Sequence, residues 1–147
     1  MNAEELWNAF VTSHPEVADI AYEAWCYGSD AADELARLTA DGIKTATASA
    51  YPLYELEQEE LPKVGEYNVI LLTDGTALCI TKTTKISLIP YRDVSEAHAY
   101  REGEGDRSLS YWRKVHEAFF TEELASVGLT FTEDMTVVCE EFEVVFK

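Results

Sequence analysis

Positive charge is scarce in this chain: 11 Lys and Arg stand against 28 Asp and Glu, a net charge of −17. Binding to long nucleic acid draws much of its affinity from Lys and Arg displacing counterions from phosphates. A long duplex is therefore not an expected partner, and a small ligand or a short RNA reached by a local basic patch is. Cysteine is equally sparse. Cys26, Cys79 and Cys139 are far apart and odd in number, with no CxxC pair, which argues against a disulfide framework and a zinc knuckle. No apolar run approaches the ~20 residues of a membrane-spanning helix. The first residues, "MNAEELWNAF", lack the basic start and apolar stretch of a secretory signal. A cytoplasmic protein with reduced thiols and no membrane association is expected. Seven glycines and four prolines leave no low-complexity linker, and no repeat is evident.

What is present suits a single domain. The 147 residues are 47% hydrophobic and 12% aromatic, enough for a real core. Leu6, Trp7 and Phe10 have helical spacing over residues 3–11. Pro15 fits the first turn of a second helix carrying Val17, Ile20, Ala21, Ala24 and Trp25 on one face. A third helix is predicted in "DAADELARLTADG", with Asp30 and Asp33 as a capping pair, Ala31, Leu35 and Leu38 as its face, and Gly42 as its stop.

Strands follow. "TATASAY" alternates, "LYELEQEELP" reads as a short helix or loop, and "EYNVILLT" and "TALCITKTTKI" flank Asp74-Gly75, a strong hairpin signal. A helix is predicted from Ser95 to Glu102 and another from Leu109 to Ala125, stopped by Gly128. The closing "TVVCEEFEVVFK" reads as a strand, with Phe142, Val144 and Phe146 on one face. This order predicts an α+β fold with a small antiparallel sheet or barrel and an inserted helical pair.

Three stretches could carry chemistry. In "GIKTATAS", Lys44, Thr45, Thr47 and Ser49 gather where a helix meets a strand. Strand alternation puts Thr45, Thr47 and Ser49 on one face, so Lys44 can meet Thr47 only if the chain turns between them. A lysine beside a hydroxyl can activate it as a nucleophile, although a solvent-facing lysine among β-favouring threonines fits the same residues.

In "AHAYREGEGD", His98 and Glu102 are four apart and share a helix face. Glu102 stands near a helix C-terminus, where the macrodipole disfavours a carboxylate by about 0.3–1 kcal/mol. A compensating cation is one answer; plain helix punctuation is another. Asp106 or Ser108 can cap the helix that follows. No metal-ligand spacing is recognisable.

In "YWRKVHEAFF", Trp112, Val115, Phe119 and either Ala118 or Phe120 form a helical stripe of core type. Arg113, Lys114 and His116 are the one dense basic group, one of which could face a ligand, and Tyr111 and Trp112 could stack on a base.

"GIKTATAS" resembles the GxKxxTxR signature of the ASCH domain family, relatives of the PUA fold. The Asp74-Gly75 hairpin, "AHAYREGEGD" and the last strand follow in that family's order over residues 28–146. Residues 1–27 look like the extra N-terminal helical region of its bacterial branch. The resemblance implies a small β-barrel with helices around a cleft that recognises a nucleoside or an RNA base. Some members are amidohydrolases that deacetylate N4-acetylcytidine, and another is associated with ribonuclease activity.

By the same resemblance Lys44, Thr47 and Glu102 would be catalytic, with Thr47 as nucleophile, Lys44 as base and Glu102 as acid or base. The signature arginine falls on Ser49 here, so its role would be vacant or would pass to Arg101, Arg107 or Arg113. Thr45, Ser49, His98 and Tyr111 complete the expected ligand-binding set. No cofactor is implied. A lysine keeps its proton to about pH 10 in water, and a carboxylate touching it strengthens that hold. Direct contact between Glu102 and Lys44 would therefore favour binding over general-base catalysis.

Overall fold

The structure, a computed structural model, describes residues 1–147. It opens with helix α1 (Ala3–Ser13), whose buried face is Leu6, Trp7 and Phe10. Asn2 caps it: its side chain accepts from the Glu5 amide, and the Glu5 carboxylate accepts from the Asn2 amide. Such reciprocal caps satisfy two otherwise orphaned donors.

The second predicted helix does not form. Its place is taken by a 3₁₀ turn, Pro15–Val17, and by strand β1 (Tyr22–Trp25). β1 lies parallel to β3 (Tyr67–Leu71), with Tyr22 opposite Tyr67 and Trp25 opposite Ile70. Trp7 stacks on Tyr22 at 4.5 Å between ring centroids. Pairing and stacking on a ready sheet edge thus override a weak helical period.

Helix α2 (Ala32–Ala40) buries Ala32, Leu35, Ala36 and Thr39. The expected Asp30–Asp33 cap is absent. Asp33 instead accepts from the amide (2.8 Å) and hydroxyl (3.3 Å) of Thr73, tying the helix start to the β3–β4 hairpin. β2 (Ala46–Ala50) leads directly into α3 (Tyr51–Glu57). β4 (Ala77–Pro90) follows the hairpin, then come α4 (Glu96–Glu102), α5 (Leu109–Ala125) and β5 (Thr136–Phe146). Ser95 and Ser108 cap α4 and α5 through their hydroxyls.

The five strands form one sheet in the order β1-β3-β4-β5-β2. The sheet is open, with β1 and β2 as its edges, so the expected barrel is not closed. All its pairings are antiparallel except β1–β3. β4 joins the two halves: Ala77–Lys82 pairs with β3, and Ile80–Pro90 pairs with β5. Register shifts between Ile80 and Thr81 and between Thr83 and Lys85 let it change direction.

Three apolar clusters fill the interior. One packs α5 and the Tyr91 turn on β5, a second packs α1 on β3 and β4, and a third packs α2 on the other face of the hairpin. The stripe of α5 that goes inside is Trp112, His116, Phe120 and Leu124, one residue round from the predicted one. Val115 and Phe119 are half-buried and Ala118 is exposed. No helix is long and apolar enough to cross a membrane.

Candidate functional site

Lys44 precedes β2 rather than belonging to it. The amides of Ile43 and Lys44 both donate to the Leu38 carbonyl at the end of α2, and the Thr45 amide donates to Arg101 O at 2.7 Å. The chain therefore turns before the strand starts, and Lys44 is freed from strand alternation. Its side chain folds inward and is 1% exposed, as is that of Glu102.

Lys44 Nζ donates to Ala46 O at 2.9 Å, to Glu102 Oε1 at 3.1 Å and to Glu104 Oε2 at 3.3 Å, with Glu102 O at 3.5 Å. Glu102 is the hub. Its Oε2 accepts from Trp112 Nε1 at 2.5 Å and from His98 Nε2 at 2.7 Å. Its Oε1 faces His116 Nε2 at 3.5 Å. Burial alone would raise the Glu102 carboxyl. The Lys44 ammonium and the hydrogen bonds of His116 and His98 outweigh burial and hold it well below the usual carboxylate range.

Backbone geometry sets this hub. Gly103 ends α4 with φ +73, and a Cβ there would meet Ile43 O at 2.7 Å. Only glycine lets the end of α4 lie this close to the Lys44 segment.

A half-open cavity of about 990 Å³ lies beside the hub. Lys44, Thr47, Ser49, Glu102, Tyr111 and His116 line it, with Trp25, Tyr54 and Phe119 as aromatic walls. It draws on Glu23 and Trp25 of β1 and on Thr47 and Ser49 of β2. Both sheet edges therefore face the same space, and a closed barrel would fill it. Trp25 is fixed by its Nε1, which donates to Asn68 Oδ1 at 2.8 Å.

The wall is acidic. Lys44 is its one lysine, no arginine reaches it, and Glu23, Glu66, Glu123 and Glu140 add to the carboxylates of the hub. Burial, opposed by the Thr83 hydroxyl and reinforced by the charges of Glu66 and Glu23, raises Glu140 above the ordinary value.

Besides Lys44 and Glu102, the structure brings three of the expected residues to this cavity. Thr47, Ser49 and Tyr111 line it. Ser49 Oγ is 2.9 Å from the Tyr54 hydroxyl. His98 sits behind Glu102, buried and away from the cavity. Thr45 is tied to Arg101 O through its backbone and its hydroxyl.

The three candidate replacements for the signature arginine all lie elsewhere. Arg101 pairs with Glu141 at 3.4 Å. Arg107 lies over the Tyr100 ring and donates to Tyr100 O and Ile43 O. Arg113 donates to Arg92 O at 3.0 Å. Each guanidinium serves a local structural bond, so no arginine fills the role expected from the signature.

Sequence reasoning missed Glu104 as part of the site, and it did not single out His116 within its basic group or Trp112 as a partner of Glu102. His116 follows Trp112 by four, a helical spacing that places both on one face. That spacing was the available signal. The oxygen and nitrogen atoms of Glu102, Glu104 and His116 lie within 4.8 Å of one another. The Lys44 ammonium already bonds both carboxylates from this cluster, so the positive charge they call for is supplied by the chain.

The ASCH domain family model matches residues 23–146. The chain belongs to the ASCH domain family. A crystal structure of an ASCH domain from Lactobacillus crispatus JV V101 is similar at 33% identity and TM-score 0.92, over 98% of this chain and 94% of that one. A protein from Enterococcus faecalis V583 is similar at 39% identity and TM-score 0.89, over 99% of this chain and 88% of that one. A hypothetical protein at 18% identity and TM-score 0.56, over 84% of this chain and 98% of that one, shares the fold. No curated protein matches the chain in sequence. The strongest ASCH resemblance in the sequence, Lys44-x-x-Thr47 with a distant Glu102, thus falls on residues that line one cavity.

Proposed function

We propose that this ASCH domain binds an acylated nucleoside or similar small amide in the cavity and hydrolyses its amide bond. The observation that carries this reading is that Thr47, Lys44 and Glu102 all line one cavity; the direct, buried Lys44–Glu102 contact keeps the lysine charged, so it serves here as a fixed ammonium and not as the general base. The cavity volume falls in the range of small-molecule sites, and its aromatic walls suit a planar base.

The acidic lining selects among ligands. With its one ammonium already neutralised by Glu102 and Glu104, the cavity repels phosphate, which favours a nucleoside over a nucleotide. The same charge works against RNA, since the lining holds one lysine and no arginine and the chain carries −17 overall.

In the proposed reaction the Thr47 hydroxyl attacks the acyl carbon, its proton leaves to a nearby base, and the amine departs with a proton. Water then hydrolyses the acyl-threonine ester and restores Thr47.

Cytidine release from N4-acetylcytidine tests this. Turnover by the wild-type protein that is lost in Thr47→Ala and strongly reduced in Lys44→Ala supports the reading. Equal turnover in all three removes it.

A further inference from the structure

The reaction needs a group that takes a proton from Thr47 and gives one to the leaving amine. Lys44 is badly placed for that. Its nitrogen faces four oxygens, two of them carboxylate, within 3.5 Å. An ammonium offers three N–H donors to these acceptors. A neutral amine would turn its lone pair on one of them. Glu102 is badly placed too, because its oxygens already accept from Trp112, His98 and Lys44.

His116 is less confined: one carboxylate oxygen, Glu102 Oε1, lies 3.5 Å from its Nε2, against four oxygens around the Lys44 nitrogen. It lines the cavity, whereas His98, the other histidine on Glu102, does not. Its Nδ1 is 2.9 Å from the Trp112 carbonyl oxygen. A carbonyl only accepts, so Nδ1 carries a hydrogen in every charge state. The ring stacks on Trp112 at 4.2 Å between centroids and 15° between planes, which fixes its orientation. The one position left to gain or lose a proton is Nε2, 3.5 Å from Glu102 Oε1.

We propose that His116 is the proton carrier of this site: Nδ1 stays protonated against the Trp112 carbonyl, Nε2 exchanges the proton with reactants, and Lys44 remains a fixed ammonium. The chemistry rests on the hydrolase reading; the protonation pattern belongs to the free protein. Nε2 accepts the Thr47 Oγ proton as the Oγ–carbon bond forms. It returns that proton to the amine as the carbon–nitrogen bond breaks. It then takes a proton from the water that attacks the ester and passes it to Thr47 Oγ as the acyl–oxygen bond breaks. The sum is amide plus water giving acid plus amine.

The surroundings tune His116 for this. Burial favours its neutral form. The hydrogen bond and charge of Glu102, the Trp112 carbonyl and the charge of Glu104 outweigh burial and raise it above the ordinary histidine value. Glu102 faces it from α4 and Glu104 from the following loop. Lys44 meets the same two carboxylates from the segment before β2. Glu123 and Glu140 line the same cavity, and His98 touches the other oxygen of Glu102.

Long-range nitrogen–proton NMR of the wild-type protein, titrated from about pH 5 to about pH 9 across the ordinary histidine value, reads both ring nitrogens directly. His116→Gln and His98→Gln assign the signals. The expected result is Nδ1 protonated throughout and Nε2 titrating with a midpoint above about 6.5. A neutral ring with its proton on Nε2, or an Nε2 that does not titrate in this window, overturns the proposal.

With N4-acetylcytidine as probe, wild-type kcat/KM should rise with pH through the same midpoint. His116→Gln should lose that limb and fall by about 10²–10⁴-fold. A uniform loss that keeps the limb marks a merely structural histidine and also overturns it. Absence of wild-type turnover counts against the hydrolase reading alone, and the ring spectrum then decides this one.

Discussion

Lys44 and Glu102, 58 positions apart in sequence, meet at 3.1 Å with each side chain 1% exposed. Removing one member of a buried pair leaves an uncompensated charge and costs about 3–5 kcal/mol, a large share of the ~5–15 kcal/mol that holds a domain together. Lys44→Met should therefore lower the urea midpoint sharply. Glu102→Leu should cost at least as much, because it also orphans Trp112 Nε1 and His98 Nε2. The double variant should lose less than the sum of the two. Additive losses would show that the pair does not act as a unit.

Acid should loosen this hub. The Glu102 carboxyl is held well below its ordinary value by Lys44 and the histidines despite burial. Its stabilisation is present above the unfolded carboxyl value of about 4.3 and is lost as pH falls through the folded one. His116 is raised, so its stabilisation is complete below about 6.5 and fades as pH rises through its folded value. Urea midpoints measured against pH should therefore peak between these limits, and His116→Gln should flatten the alkaline side.

Glu140 should show the opposite sign. Burial, and the nearby charges of Glu66 and Glu23, raise it despite the Thr83 hydroxyl. Its charged form is thus a cost at neutral pH. Glu140→Gln should raise the melting temperature at pH 7, with the gain shrinking towards pH 4, where the unfolded carboxyl is largely protonated as well. An equal gain at both pH values would assign the effect to packing.

Gly103→Ala probes the link between α4 and the Lys44 segment. The new Cβ would sit 2.7 Å from Ile43 O and 2.9 Å from Ile43 C, at φ +73. The left-handed backbone alone costs about 1–2 kcal/mol, and the overlap with backbone adds to it. Gly42→Ala, at φ +75 with nothing within 4 Å, should show the backbone cost without the overlap. Thermal denaturation of the two should differ clearly. Equal losses would mean that the α4 contact gives way easily.

Much of this site was legible because its spacings are local. His98 and Glu102 share a helix face by their i, i+4 separation, and Ser108 caps α5 as the sequence suggests. Strand alternation separates Lys44 from Thr47 unless the chain turns before the strand, and the amide bonds to Leu38 O and Arg101 O place Lys44 outside β2. What was illegible depends on tertiary partners. Ala21, Ala24 and Trp25 fit a helical period, yet β1 exists because β3 offers it an edge and Asn68 holds Trp25. The arginines Arg101, Arg107 and Arg113 looked available for a ligand, but their carboxylate, ring and carbonyl partners come from distant or folded segments. His116 stood in the sequence only as one of three neighbouring basic residues, because the partner that singles it out, Glu102, lies across the helical pair.

The most direct measurement of the central claim is mass spectrometry of protein quenched in acid during reaction with N4-acetylcytidine. One acetyl group should appear on the peptide containing Thr47, disappear as cytidine release is completed, and be absent from Thr47→Val, which should also release no cytidine. Acetyl carried by another residue, or cytidine release by Thr47→Val at the wild-type rate, would contradict the account.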